Sequence, residues 1–227
     1  MGTTILDEFP EPAGGVLWQT LRDVHLWVRA APAERTGLFS GDALRGRLAM
    51  LMAHLVDPDL RAPLVRLGFL LLGKPAKAEA KRVAAECRRV VEWAERRAAL
   101  GTALAFAQAA ALAAPADAAL ALETGILAVA RGEEARAESW LRRALVLARR
   151  EGDRSAHARA CLELGDLYAG RDSVLLARGF YLRALGQGRR KGRWEVRGAA
   201  LRGLSQLTEA HGDPAEEHGT SRSGALS

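Results

Sequence analysis

The sequence predicts an all-α chain built from repeated antiparallel helix hairpins. Three observations lead there. Apolar residues recur at spacings of three and four along most of the 227 residues, the signature of helices with one buried face. No strand-length run of β-branched residues with a period of two occurs. One helix–turn–helix pattern returns after about forty residues, which marks a repeat architecture.

The elements follow in order. Residues 1–15, acidic and proline-containing, read as a flexible arm. Residues 16–75 read as an N-terminal helical region, either worn hairpins or a cap. Leu17, Leu21, Val24 and Val28 form its first helical stripe. A second helix covers 42–55 with Leu44, Leu48, Leu51 and Leu55 on one face. Asp57 then caps a third, very apolar helix whose first turn holds Pro58. Residues 76–212 read as the repeat domain, alanine-rich and arginine-edged, and 213–227 as a disordered tail without periodicity. Within the repeat domain, 78–112 reads as a degenerate copy whose second helix presents Leu100, Leu104 and Ala107.

Two clearer copies carry the pattern. In one, Leu164, Gly165 and Tyr168 precede the turn Gly170-Arg171-Asp172, and Ala177, Tyr181 and Ala184 follow. In the other, Gly125 precedes Arg131-Gly132-Glu133, and Ala137, Leu141 and Ala144 follow. Small residues at Gly125, Gly165 and Ser205 allow close helix crossings, and Leu141 and Tyr181 fill the space between the alanines. Asp153 and Asp172 sit in polar turns suited to capping.

The run of Leu-Gly and an aromatic in one helix, with Ala, aromatic and Ala in the next, resembles a tetratricopeptide repeat array. The resemblance is clearest over 118–212, with repeats of about forty residues similar to long-helix bacterial variants. It implies a right-handed superhelical solenoid in which residues 198–212 act as the C-terminal capping helix. It also implies a concave groove lined by the first helix of each hairpin. Leu122, Ile126 and Val129 would form an apolar end of that groove, and Arg159, Leu162, Asp166, Arg202, Gln206 and Glu209 a polar end. The family's clamp for a C-terminal carboxylate uses Lys and Asn, and this chain contains no asparagine.

The chemistry of the chain points to binding. Cys87 and Cys161 lie on helices as packing residues, and His157, one turn before Cys161, is the single thiol–imidazole pairing to weigh. No HExxH, paired Cys-x-x-Cys or phosphate-binding glycine loop occurs, so no cofactor, metal or catalytic residue is assigned. A net charge of +6 comes almost wholly from arginine. It gathers most sharply at Arg189, Arg190, Lys191, Arg193 and Arg197, beside Trp194. That cluster reads as a basic connection with Trp194 docked on the next helix, and as a weaker candidate for nucleic acid. The expected function is a non-enzymatic protein–protein interaction scaffold binding a peptide or partner helix, or a second copy of the chain. The alternative is a regulatory module of a bacterial signalling or transcription system. The longest apolar run is too short to span a bilayer, so the expectation is a cytoplasmic protein without membrane contact.

Overall fold

A computed structural model describes residues 5–39, 41–71, 77–187 and 194–211. Every regular element among them is helical. The α helices are α1 (Ile5–Glu8), α2 (Ala13–Arg29), α3 (Gly41–His54), α4 (Pro58–Leu71), α5 (Lys77–Glu95) and α6 (Leu100–Ala113). They continue as α7 (Ala118–Ala130), α8 (Glu134–Glu151), α9 (Arg154–Ala169), α10 (Val174–Gln187) and α11 (Trp194–His211). A short 3-10 turn, Arg35–Gly37, follows α2. No helix among the described residues is long and apolar enough to cross a membrane. The chain divides into two compact units, 1–137 and 138–227, with the division in the first turn of α8.

In the N-terminal unit, α2 packs on α4 and α6, α4 on α5, α5 on α6, and α6 on α7. Leu17, Val24 and Trp27 of α2, Leu64 and Leu67 of α4, and Val90 and Phe106 of α5 and α6 are among its largest fully buried side chains. The buried stripe of α2 is rotated from the predicted one. Thr20, Asp23 and Trp27 are inside, while Leu21 and Val28 are half-buried. The polar members of this stripe are only partly satisfied, since one Asp23 oxygen and the Trp27 indole N–H are buried without a hydrogen-bond partner among the described residues. The Thr20 hydroxyl donates to the Val16 carbonyl at 2.9 Å, and Asp23 accepts from Arg47 of α3. Asp57 caps α4 as expected, accepting from the Asp59 amide at 2.9 Å, and also accepts from the Trp93 indole at 2.8 Å. That indole bond is the first cause holding the Asp57 carboxyl below its ordinary range.

Residues 5–15 differ from the expected flexible arm. Ile5 is buried, Phe9 lies 5.1 Å ring to ring from Trp93, and the Glu8 carboxylate reaches the start of α6. The acidic composition that read as a loose arm is a docked helical turn.

In the C-terminal unit, α9 packs along α10, and α11 packs on both. Cys161, Leu164, Gly165 and Tyr168 form one buried face of α9, and Ala177, Tyr181 and Ala184 face it from α10. Tyr181 lies between two glycines. A Cβ on Gly165 would stand 2.6 Å from its ring, and one on Gly203 of α11 would stand 2.5 Å from it. The close crossing in α11 therefore falls at Gly203. Ser205, expected there from the forty-residue period, is exposed.

Four helix ends close in one way. The amides of Ala99, Glu133, Asp153 and Ser173 donate to the carbonyls five residues back, at 2.9 to 3.0 Å. The residue before each, Ala98, Gly132, Gly152 and Asp172, has a left-handed φ of 54° to 71°. This is the Schellman closure that satisfies orphan carbonyls at a helix end. Gly132 and Asp172 occupy equivalent turns. Asp172 thus supplies the left-handed turn residue rather than a cap, and Gly170 stays right-handed as the C-cap of α9. Asp153 does cap α9, accepting from the amides of Ser155 and Ala156 at 2.9 and 3.0 Å.

A charged clasp joins α8 to the end of α9. The Tyr168 hydroxyl donates to Glu138 at 2.5 Å and accepts from Arg142 at 2.6 Å, while Arg171 donates to the other Glu138 oxygen at 2.6 Å. The Tyr168 bond first, then the Arg171 bond, hold the Glu138 carboxyl down at about 2, against 4.5 for an ordinary glutamate. A depressed acid stabilises the fold above its unfolded pKa. That contribution is lost as pH falls from about 4.5 toward about 2. Glu138→Gln is expected to lower stability at neutral pH by about 1–2 kcal/mol, since the side chain is partly solvated. It should also flatten the acid limb of stability against pH. Denaturant midpoints measured across that window check this, and curves that stay parallel for the two proteins would refute it.

Candidate functional site

The apolar side of α7 that does not enter the core forms a cleft with α5. Asp117 starts α7 by accepting from the amides of Ala119 and Leu120 at 2.9 and 3.1 Å. With that start fixed, Ala118, Ala121, Thr124, Gly125 and Ala128 are buried, and α7 packs on α6. Ala119, Leu122 and Ile126 fall on the other side, one turn apart from one another. They line the cleft together with Leu120 and Leu127.

Its volume is about 340 Å³, at the lower end for small-molecule pockets of ~300–1,000 Å³. That space accepts one or two side chains of a partner rather than a whole cofactor. Leu122 and Ile126 are half-buried. Both remain open to a ligand.

The rim is charged. Arg88 of α5 and Glu123 of α7 form an ion pair at 3.2 Å, with Glu95 and Asp117 beside it. Burial raises the Glu123 pKa most, Arg88 opposes the rise, and Glu95 and Glu92 add to it by repulsion. Arg88 is in turn held protonated chiefly by Glu123. One guanidinium thus faces several carboxylates.

The nine residues expected to line one groove divide between the two units, three in the N-terminal and six in the C-terminal. Leu122 and Ile126 meet in the cleft, and Val129, one turn on, is 38% exposed outside its lining. Leu162, expected in the polar end, is instead buried in the α9 core at 7% exposure. Arg159 is exposed and pairs with Glu163 at 2.7 Å. Asp166 is exposed but accepts the Tyr181 hydroxyl at 2.7 Å, so it anchors a core aromatic. Arg202, Gln206 and Glu209 are exposed on α11. Sequence reasoning missed Arg88, Glu95 and Glu123. The spacing of Arg88, Glu92 and Glu95 along α5 is the signal that marks a charged, outward stripe.

Of the basic cluster, Arg189, Arg190, Lys191 and Arg193 lie outside the described residues. Arg197 is exposed on α11. Trp194 is 73% exposed, so it is not docked on a neighbouring helix as expected. Arg197 lines a second cleft of about 400 Å³ with Leu182, Leu185, Gly186 and Leu201.

The thiol–imidazole pair is close but wrongly tuned for a nucleophile. The Cys161 sulfur is 3.8 Å from His157 Nδ1, yet burial pushes the thiol up to about 11. Burial, with Arg149 and Arg183, also lowers the His157 pKa, which disfavours an imidazolium partner. Burial raises the Cys87 thiol further. Among the described residues no group of three His, Cys, Asp or Glu side chains is placed to hold a metal ion. No protein-family model and no curated protein matches this chain, so the function is read from the cleft's own geometry.

Proposed function

We propose that the chain is a non-enzymatic interaction scaffold, a tetratricopeptide-like helical solenoid that receives a side-chain knob of a partner helix or peptide in the α5–α7 cleft. The observation that carries this reading is the pair Leu122 and Ile126, half-open at the floor of a cleft framed by the Arg88–Glu123 ion pair. Apolar floors with polar rims are the usual anatomy of protein docking sites. The raised thiols of Cys87 and Cys161 support binding rather than nucleophilic chemistry.

The test is affinity capture from the native cell with the wild-type chain and with Leu122→Asp and Ile126→Asp. Each places a carboxylate at a half-solvated position, so the circular dichroism melt should shift little. Loss of a deep anchor weakens binding by about tenfold or more. The wild type should retain a partner that both variants release. Identical partners on all three baits would sink the reading.

A further inference from the structure

One helix face of the C-terminal unit matches the cleft of the N-terminal unit in chemistry. Helix α11 lays Ala200, Gly203 and Leu207 against α9 and α10. At 3.6 residues per turn, Trp194, Arg197 and Leu201 fall together on a flank of α11, about 120° round from that buried face, where Arg197 and Leu201 border the cleft shared with α10. Trp194 is 73% exposed and Leu201 47%, with Arg197 exposed between them. An aromatic, a guanidinium and an aliphatic at i, i+3 and i+7 are the anchors by which an amphipathic helix enters a groove. Tryptophan and arginine are also the residues most enriched at the energetic centre of interfaces.

The cleft offers the complement. Its floor is apolar at Leu122 and Ile126, and its rim sets Glu95, Asp117 and Glu123 against Arg88 alone. That one guanidinium is already engaged by Glu123 at 3.2 Å. Among the described residues no basic side chain lies at ion-pair distance from Glu95. The cleft is therefore locally acidic in a chain whose net charge is +6. A basic, apolar helix suits it better than an acidic peptide.

We infer that the occupant of the α5–α7 cleft is α11 of a second copy of this chain, with Trp194 on Leu122 and Ile126 and Arg197 against Glu95. The inference rests on the reading of the cleft as a docking site. Helix and cleft lie on the same chain, so the contact joins copies either reciprocally, as a closed pair, or head to tail, as a ring or an open chain.

Sedimentation of the full chain over a wide concentration range, at low and high salt, tests it. The mass should rise above the single-chain 24.4 kDa with concentration, and added salt should reverse the rise. Trp194→Ala should weaken self-association by about tenfold or more. Arg197→Glu and Glu95→Arg should each abolish it alone. Mixed together they should associate again, because every cleft then meets a helix of opposite charge. A chain that stays at 24.4 kDa throughout, or an association indifferent to Trp194→Ala and to the charge exchange, overturns the inference. If that chain still captures a partner in a manner lost with Leu122→Asp, the docking reading stands and only this occupant is wrong. If capture is also indifferent to Leu122→Asp, both fall.

Discussion

Gly165→Ala will destabilise the protein by about 2–3 kcal/mol, although the same change in an exposed helix stabilises by about 0.5–1 kcal/mol. The sign reverses because the new methyl has no room. It would stand 2.6 Å from two ring carbons of Tyr181, well inside van der Waals contact. The ring cannot step aside. It is 3% exposed, its hydroxyl is tied to Asp166 at 2.7 Å, and Gly203 approaches its other side. Gly203→Ala should therefore behave in the same way, with Cβ distances of 2.5 to 2.8 Å to the ring. Gly179 of α10 supplies the control, since nothing lies within 4 Å of a Cβ placed there. Gly179→Ala should shift the urea midpoint upward while Gly165→Ala shifts it downward. Shifts of the same sign would show that helix propensity, not the crossing at Tyr181, sets the role of Gly165. Joining Gly165→Ala with Tyr181→Leu should recover part of the loss, because the double change removes the clash.

This crossing also shows what the sequence carries and where it stops. Gly165, Tyr181 and the alanines around them were legible because small and large residues recur at fixed offsets within one hairpin. The partner in α11 was misplaced by two residues, since a forty-residue count assumes a register that α11 does not keep. Ser205 obeys the count and faces water, while Gly203 meets the ring. The stripe of α2 failed for another reason. Counting apolar residues cannot reveal that Thr20 satisfies itself on a backbone carbonyl, or that Asp23 finds Arg47 on the next helix. The cleft was half legible on similar grounds. Its floor is the apolar side of α7 left outside the core, which one helix's periodicity shows. Half of its rim, Arg88 and Glu95, comes from α5, some thirty residues upstream, and no local pattern states which charges of α5 turn toward α7.

Glu8→Ala is expected to cost about 3–4 kcal/mol, for a residue in the segment that composition alone marks as loose. Helix α6 begins without a cap of its own, because Ala99 at that position has no acceptor side chain. Glu8 supplies it from ninety residues away. One carboxylate oxygen accepts from the Gly101 amide at 2.6 Å, and the other from the Thr102 amide and hydroxyl, both at 2.7 Å. A local cap contributes about 0.5–2 kcal/mol. Here an ionised acceptor serves three donors beside the positive end of the helix dipole, and each bond is correspondingly stronger. Thr102 is fully buried, so water cannot replace what alanine removes, and the donors are left unsatisfied. Glu8→Gln separates charge from geometry. It keeps one carbonyl acceptor and should cost about half as much. The measurements are the denaturant midpoint and amide exchange at Gly101 and Thr102, which should accelerate in the alanine variant before the rest of α6 does. Unchanged exchange at those two amides would show that the first turn of α6 does not depend on Glu8. If they accelerate, α1 is held in place by the same bonds that cap α6, and the acidic start of the chain is a structural element of the N-terminal unit.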